Sequence, residues 1–407
     1  MSPPWRAALR IFLLDLTEPI AAGSHLRPGF VLVGGRTIAE HQLDIALDFG
    51  CDRIICLVNG LDPQLVTLQH RAERAGRLFH TVTAPRELSA LVTANDEIIM
   101  LTEGLLADRE RALTMLETGT GIFVQPVELG LAAGFERLDI NNASAGMIRV
   151  PGRLIEGLTQ LSTDYDVCSA LTRIALQDGT PMREVPAESR SGLNWQMIAS
   201  DRDAVAIEQD WLAQQLGQAP PQSLGNWLAR QGVLNFGPSL LHAGNGSAIM
   251  LGAMIAAMAL ALGMASLNWS APGFIGCGIA WIFYRIARLL RRIEQPAVQM
   301  EGARFDYTRA LGWLFDAQLV LLAVWNTDGQ ATVTFLEHLF IPVIFLLLIR
   351  LLPQLHTMLA SAWLSDRTVL CLLFALFAAL GLLSWAMALG AVMLAGLAIF
   401  ATRPNSG

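Results

Sequence analysis

No lysine occurs anywhere in the 407 residues, and all 28 basic side chains are arginine. Chemistry that needs an ε-amino group is thereby excluded, including Schiff-base formation and the phosphate-binding lysine of a P-loop. Excess positive charge is missing as well. The formal charge is -7 at pH 7, whereas nucleic-acid binders need clustered positive charge, so no nucleic acid is expected as a partner. Cysteine is scarce and scattered. Only Cys51 and Cys56 lie close together, flanking a strand-like DRII, so neither a zinc pattern nor a disulfide framework emerges. The N-terminal WRAALRIFLLDL has too short an apolar run for a secretory leader, and an acidic residue follows it. Internal repeats and low-complexity tracts are absent.

What is present divides the chain. Residues 1–200 mix charge and hydrophobicity like a soluble α/β domain. Residues 201–246 read as an amphipathic connector, and 247–407 as an all-α polytopic membrane domain of about six transmembrane helices. In the connector, SDRDAVAIEQDWLAQQL is a capped amphipathic helix. After GQAPPQS comes a second amphipathic piece, LGNWLARQGVLNFGPSLL, suited to a membrane interface with Trp227 and Phe236 immersed and Arg230 snorkelling.

Spans are expected at 248–267, 271–290, 308–326, 333–352, 368–384 and 386–402, where the apolar runs approach the roughly 20 residues that cross a bilayer core of about 30 Å. The last two share one apolar run with Gly381, Ser384 and Gly390 as turn points, so one span or two stays open. Arg285, Arg288, Arg291, Arg292, Arg304 and Arg309 surround the loop between the second and third spans. Arg350 and Arg367 bracket the next loop on that side, and Arg403 follows the last span. The opposite loops, NWSAP and NTDGQAT, carry no basic residue. The positive-inside rule then implies a multi-pass protein of the inner (plasma) membrane with both termini cytoplasmic.

Ionisable residues inside spans are costly and call for a partner or a role. Asp316 lies mid-span, while Asp306 and Arg309 share one third of a helix circumference. Together with Arg288 they form the candidate polar site of the membrane half: Arg288, Asp306 and Asp316. An ion pair to an arginine of the adjoining loop and a site for a charged headgroup or metal are both compatible with this pattern. Glu337 and His338 read as interfacial.

GCGIAWIFYRIARLLRRI, residues 276–293, carries a resemblance. Extended through residue 320, it resembles the CDP-alcohol phosphatidyltransferase family, whose membrane domain bears D-x2-D-G-x2-A-R-x8-G-x3-D-x3-D. Ala287-Arg288 matches the A-R pair. Ala280 and Phe283 stand where the first two aspartates would be, and Tyr284 where the glycine would be. Beyond an insertion, Gly302 and Asp306 match G-x3-D with Ala310 in the last place; alternatively Gly312 and Asp316 match it with Val320 last. The family's aspartates hold divalent metals, which need several oxygen ligands. The resemblance therefore implies the remains of an active site, unless the stretch is only a membrane boundary.

In the first half, apolar runs at 30–33, 53–58, 78–82, 97–102 and 121–127 alternate with helix-like segments at 37–49, 62–76 and 108–117. That alternation implies a parallel sheet with helices on both faces, with ligands at the carboxyl ends of strands. Gly34 and Gly35 follow one such run, where bare backbone N–H groups can approach a phosphate. LVGGRTIAEHQ resembles the glycine-rich nucleotide loop of the nucleotidyltransferase (nucleotide-diphospho-sugar transferase) fold, L-A-A-G-x-G-x-R-x5-P-K, shortened and without P-K. The resemblance implies nucleotide contacts from Gly34, Gly35 and Arg36, metal-binding acids at Glu103 and Asp139, and Mg2+ or Mn2+ with a nucleotide such as CTP as cofactors. Asp108, a little beyond Glu103, is a further acidic residue of that segment.

The order of the two halves resembles the bifunctional inositol-phosphate cytidylyltransferase/di-inositol-phosphate phosphate synthases. The expected function is a membrane-anchored nucleotidyltransferase-like protein linked to envelope phospholipid or glycan headgroup synthesis, with an inactive membrane domain. The alternative is a non-catalytic scaffold or regulator of partner lipid-synthesis enzymes. Expected partners are the lipid bilayer, a nucleotide with a phospho-alcohol or lipid substrate, and a second copy of the chain. A membrane glycosyltransferase is disfavoured because no D-x-D is read as a metal motif and no Q-x-x-R-W acceptor motif is present.

Overall fold

The computed structural model describes residues 8–17, 27–60, 62–158, 166–190, 195–217, 223–294, 307–325, 335–355 and 366–401. The chain divides into two compact units, Met1–Trp211 and Leu212–Gly407. The first is α/β and the second helical.

The first unit is built on a seven-stranded sheet that starts with β1 (Arg10–Leu16). Beside β1 lie β4 (Arg53–Val58) and β5 (Leu78–Val82) on one side. On the other lie β6 (Glu97–Leu101), β9 (Asn142–Pro151), β8 (Gly121–Pro126) and β10 (Met182–Glu184). Neighbours run parallel except at β9, which is antiparallel to both β6 and β8. The wholly parallel sheet expected from the alternation is thus a mixed one.

Side-chain alternation sorts the strands onto two cores. Phe12, Leu14, Leu16, Ile54, Cys56, Ile99 and Leu101 pack under α1 (Ile38–Asp48), α2 (Pro63–Arg74) and α4 (Arg109–Glu117). Ile11, Leu13, Ile55, Leu57, Ile98 and Met100 pack under α3 (Leu88–Leu91), α6 (Ile155–Leu158) and α7 (Val167–Gln177). A central strand covered on both faces has no polar side, which is why β1 reads as an unbroken apolar run. Further along the unit come α5 (Val127–Ala132), α8 (Ala187–Arg190) and α9 (Asp201–Gln215).

The run 30–33 is not a strand of this sheet. Its last two residues form β2 (Leu32–Val33), which pairs only with β3 (Arg36–Thr37) across Gly34-Gly35. Both glycines have positive φ, 62° and 75°. This is the backbone of a two-residue hairpin, so the chain doubles back at once instead of crossing the sheet. The sheet's first strand is β1, formed by the N-terminal apolar run. A second small ladder joins β7 (Leu105–Ala107) to β11 (Trp195–Met197).

The second unit opens with α10 (Leu224–His242), followed by α11 (Gly246–Ser266), α12 (Ser270–Glu294), α13 (Tyr307–Trp325) and α14 (Phe335–Leu355). The final apolar run breaks at Gly381, whose φ is +70°, into α15 (Arg367–Ala379) and α16 (Leu383–Ala401). At 13 residues, α15 is about 20 Å long at 1.5 Å per residue, short of a bilayer core of about 30 Å. Among the described residues, α11 and α12 are long and apolar enough to cross a membrane. They pack closely because Gly273 and Gly276 of α12 face Ala261 of α11 with no side chain between. Gln318 of α13 ties in by donating to the Met258 carbonyl at 2.8 Å.

Candidate functional site

The chain leaves β1 for β4 and β5 on one side, then returns to place β6 on the other. Such a reversal opens a crevice outside the carboxyl ends of the two strands, the usual ligand position in open α/β sheets. Here the crevice is edged by Asp15 at the end of β1 and by Thr102 and Glu103 just after β6. Asp15 is 2 % exposed. Its Oδ1 accepts from the Thr17 N–H at 3.2 Å and hydroxyl at 2.7 Å, and its Oδ2 from the Val167 N–H at 3.3 Å. No cation pairs with it among the described residues. Burial pushes this carboxyl up to about 6; the Thr17 hydroxyl works against that shift, and nearby Asp166 adds to it.

The opposite wall is the start of α7. Asp166 caps it, accepting from the Cys168 and Ser169 N–H groups at 3.1 and 2.9 Å. The Cys168 sulfur lies 3.2 Å from the Thr102 hydroxyl. Burial drives its thiol well above the usual range, which makes it an inert packing group rather than a nucleophile. Below the crevice, the buried Gln42 of α1 donates 2.9 Å hydrogen bonds to the carbonyls of Thr102 and Leu105, fixing the turn that carries Glu103.

The residues nominated by sequence are spread over several elements and engaged there. Gly34 donates its N–H to Glu208 of α9 at 2.9 Å. The Trp211 ring lies against Gly34 so closely that a Cβ would fall 2.2 Å from it. Arg36 turns onto α1, where it pairs with the buried Asp44 at 2.6 Å and donates to the Glu40 carbonyl at 3.2 Å. Arg71 of α2 also reaches Asp44, at 2.5 Å. Glu103 accepts from the Gly29 N–H at 3.1 Å. Asp139 is exposed and caps its own loop, accepting from Asn141 and Asn142 N–H groups at 2.7 Å each. Those hydrogen bonds, led by that from the Asn142 side chain, hold its carboxyl below the usual range. Asp108 is the N-cap of α4.

Asp15 and Asp166 escape a reading by motif. The available signal is an acid near the end of an apolar run, DL after RIFLL. Two D-x-D spacings also occur, at 164–166 and 201–203. Asp166 and Asp203 both serve as caps, the latter with Ser200 at the start of α9, and Asp164 lies outside the described residues. Among the described residues no three histidine, cysteine or carboxylate side chains gather as a metal set. Glu103 and Asp139, the two acids nominated for a metal, each accept from backbone N–H groups on separate elements.

In the second unit, Asp306 lies outside the described residues, as do the side chains of Arg309, Glu337 and His338. Arg288 is exposed, 5.8 Å over the Tyr284 ring. Asp316 is buried, and among the described residues its partners are two arginines of later helices. Oδ2 accepts from Arg350 Nε at 2.6 Å, and Arg367 binds both oxygens at 2.9 and 3.1 Å. Arg350 and Arg367 are therefore counter-charges of Asp316 rather than free loop charges.

No family model matches the chain, and no curated protein matches it. Among solved structures, it is similar to a UDP-glucose pyrophosphorylase from Acinetobacter baumanii, at 13 % identity over 51 % of this chain and 94 % of that one, with a TM-score of 0.35. It is also similar to a UDP-glucose pyrophosphorylase complexed with UDP-glucose, at 8 % identity over 51 % of this chain and 99 % of that one, with a TM-score of 0.38.

Proposed function

We propose that this chain is a membrane-anchored nucleotidyltransferase-like protein whose first unit binds a nucleotide in the crevice between β1 and β6. The reading belongs beside envelope phospholipid or glycan headgroup synthesis, with the second unit serving as anchor rather than as transferase. The observation that carries it is the strand reversal that sets Asp15, Thr102 and Glu103 along one sheet edge. Uncharged donors around Asp15 leave a buried, protonatable carboxyl at this edge of the sheet.

The membrane reading rests on outward apolar surface. In α11 only 22 % of the most apolar stretch is buried. Trp385, Leu389, Val392 and Met393 of α16 are 63–71 % exposed, far more apolar surface than a soluble bundle shows to water. We read a multi-pass arrangement of about six spans in the inner (plasma) membrane with both termini cytoplasmic, the final apolar run counting as one span or two. Cysteines introduced near positions 295 and 328, labelled in intact cells, should report opposite accessibility; labelling from the same side contradicts this topology. Transfer chemistry is not assigned to this unit. Ala280 and Phe283 offer no oxygen ligand, and both oxygens of Asp316 are held by arginines.

The test is thermal unfolding of the full chain in detergent with nucleoside triphosphates, each with and without Mg2+. A binder contributes about 2.7 kcal/mol at 100 times Kd. Comparing the shifts with and without Mg2+ reports whether a metal takes part in binding. A second reading, a non-catalytic scaffold or regulator, is favoured by one observation: the Gly34 N–H and the Arg36 guanidinium are both engaged inside the protein. Silence with every nucleotide selects it.

A further inference from the structure

We propose that the second unit carries a phosphate-binding pocket where the first turns of α10 and α15 meet the middle of α12. Two helix N-termini meet at this junction, and their partial positive charge favours an anion. One anion is already built in. Asp366, the N-cap of α15, accepts from the Gly225 N–H of α10 at 2.6 Å and from its own Thr368 N–H at 2.9 Å.

Among the described residues, three buried donors here remain without a protein acceptor: the Thr368 hydroxyl, Arg285 Nε and Trp281 Nε1. Thr368 is 3 % exposed. Native proteins rarely leave such groups unpaired, because each has lost its water without replacement. Contacts link the three. Arg285 donates through Nη1 to Asn226, the neighbour of Gly225, at 2.5 Å, and its guanidinium lies 5.7 Å over the Trp281 ring. One turn earlier, Gly278 brings α12 within 4.0 Å of the Thr368 carbonyl, measured from the Cβ it lacks. Gly225 lets α10 approach the start of α15 closely, since a Cβ there would fall 2.5 Å from the Thr368 hydroxyl and 2.6 Å from the Asp366 carboxylate.

Charge and chemistry point to the same ligand. Arg350 and Arg367 pair with Asp316, while Arg285 lies near Asp366, Arg288 and Arg367, so positive groups outnumber negative ones around the junction. All three orphan groups can donate, so a ligand that accepts several hydrogen bonds and brings negative charge would satisfy them. A phosphate group does both, and guanidinium binds it well. It could be carried by a lipid headgroup or by a soluble phosphate ester. This pocket is separate from the crevice of the first unit and does not depend on nucleotide binding there.

The test uses the full chain in a phosphate-free maltoside detergent. Thermal unfolding is followed with inorganic phosphate alone, with phosphatidylglycerol in mixed micelles, and with diacylglycerol as a phosphate-free lipid control. Phosphate or phosphatidylglycerol, and not diacylglycerol, should raise Tm in a saturable way. A response to phosphate alone assigns a soluble ester, one to phosphatidylglycerol alone a lipid headgroup, and one to both a pocket open to either. Thr368→Val should leave the unliganded Tm at or above wild type, since the hydroxyl has no protein partner, and should weaken the apparent affinity about tenfold; Arg285→Gln should weaken it more. No response to either probe overturns the proposal, as does a full response retained in both variants.

Discussion

Two buried aspartates separate the halves of this molecule. Asp15 and Asp316 each lie within an apolar run, at 2 % and 6 % exposure. Asp15 is met by a hydroxyl and backbone N–H groups, Asp316 by two guanidinium groups. At the edge of a sheet a carboxyl can exchange a proton with the adjoining crevice, so burial is answered by a raised pKa. Inside a helix bundle, Asp316 instead has its counter-charges supplied by α14 and α15, and an arginine does not release its proton. A buried acid therefore has different meanings in the two units: a titratable group in the first, a structural brace in the second.

The largest expected effect is at Asp316. Asp316→Leu strands Arg350 and Arg367 together and should destabilise the second unit by about 3–5 kcal/mol, read by denaturation of the full chain in detergent. Replacing all three charges by leucine should cost much less than the single change, because no unpaired charge remains. Equal stability of wild type and Asp316→Leu would remove the brace.

For Asp15 the sharper test is pH. Its folded pKa of about 6 stands above the ordinary 3.8, so stability falls as pH rises from about 4 to 6. His41, whose Nε2 meets the Val33 carbonyl at 3.0 Å beneath Trp211, runs the other way. Burial first, and then the neighbouring Arg36, push its imidazole from 6.5 down to about 4, so stability is lost as pH falls through that window. Each shift corresponds to about 3 kcal/mol at most, at 1.36 kcal/mol per pH unit. The two nearly cancel between pH 4 and 6. Asp15→Asn should make the first unit acid-sensitive there, while His41→Gln should make it lose stability as pH rises. Parallel slopes in the two variants would contradict the assignment.

Arg36→Ala distinguishes brace from ligand contact within the first unit. It takes one of two cations from Asp44, so stability should drop by about 2 kcal/mol, with nucleotide response unchanged in titrations at fixed temperature. A selective loss of nucleotide affinity would return Arg36 to the binding role that its sequence context suggests. Smallest is Thr17→Val, which removes one hydroxyl donor from Asp15. About 1 kcal/mol should be lost at pH 7.5 and less at pH 4, where the carboxyl is neutral.

Much of the architecture was legible from local pattern. The strands at 53–58, 78–82, 97–101 and 121–126 and the three helices that alternate with them come from apolar runs between cap and turn residues, and Thr37 with Glu40 even forms a capping box. So do the long apolar helices, whereas the choice of Gly381 among the three possible turn points of the last apolar run came only from the fold. The absence of lysine excluded whole mechanisms without any coordinates. Only the tertiary structure decided which polar groups meet. Gly34 gives its N–H to a glutamate 174 positions away, Asp316 finds arginines 34 and 51 positions away, and Asp15 meets a helix start 152 positions away. Periodicity and capping act over a few residues and are written locally, whereas a buried donor or charge takes whichever partner packing brings within about 3 Å. Gly34, Arg36 and Glu103 therefore looked free in the sequence and are engaged in the fold, while Asp15 looked like the tail of an apolar run and stands at the edge where the sheet changes direction.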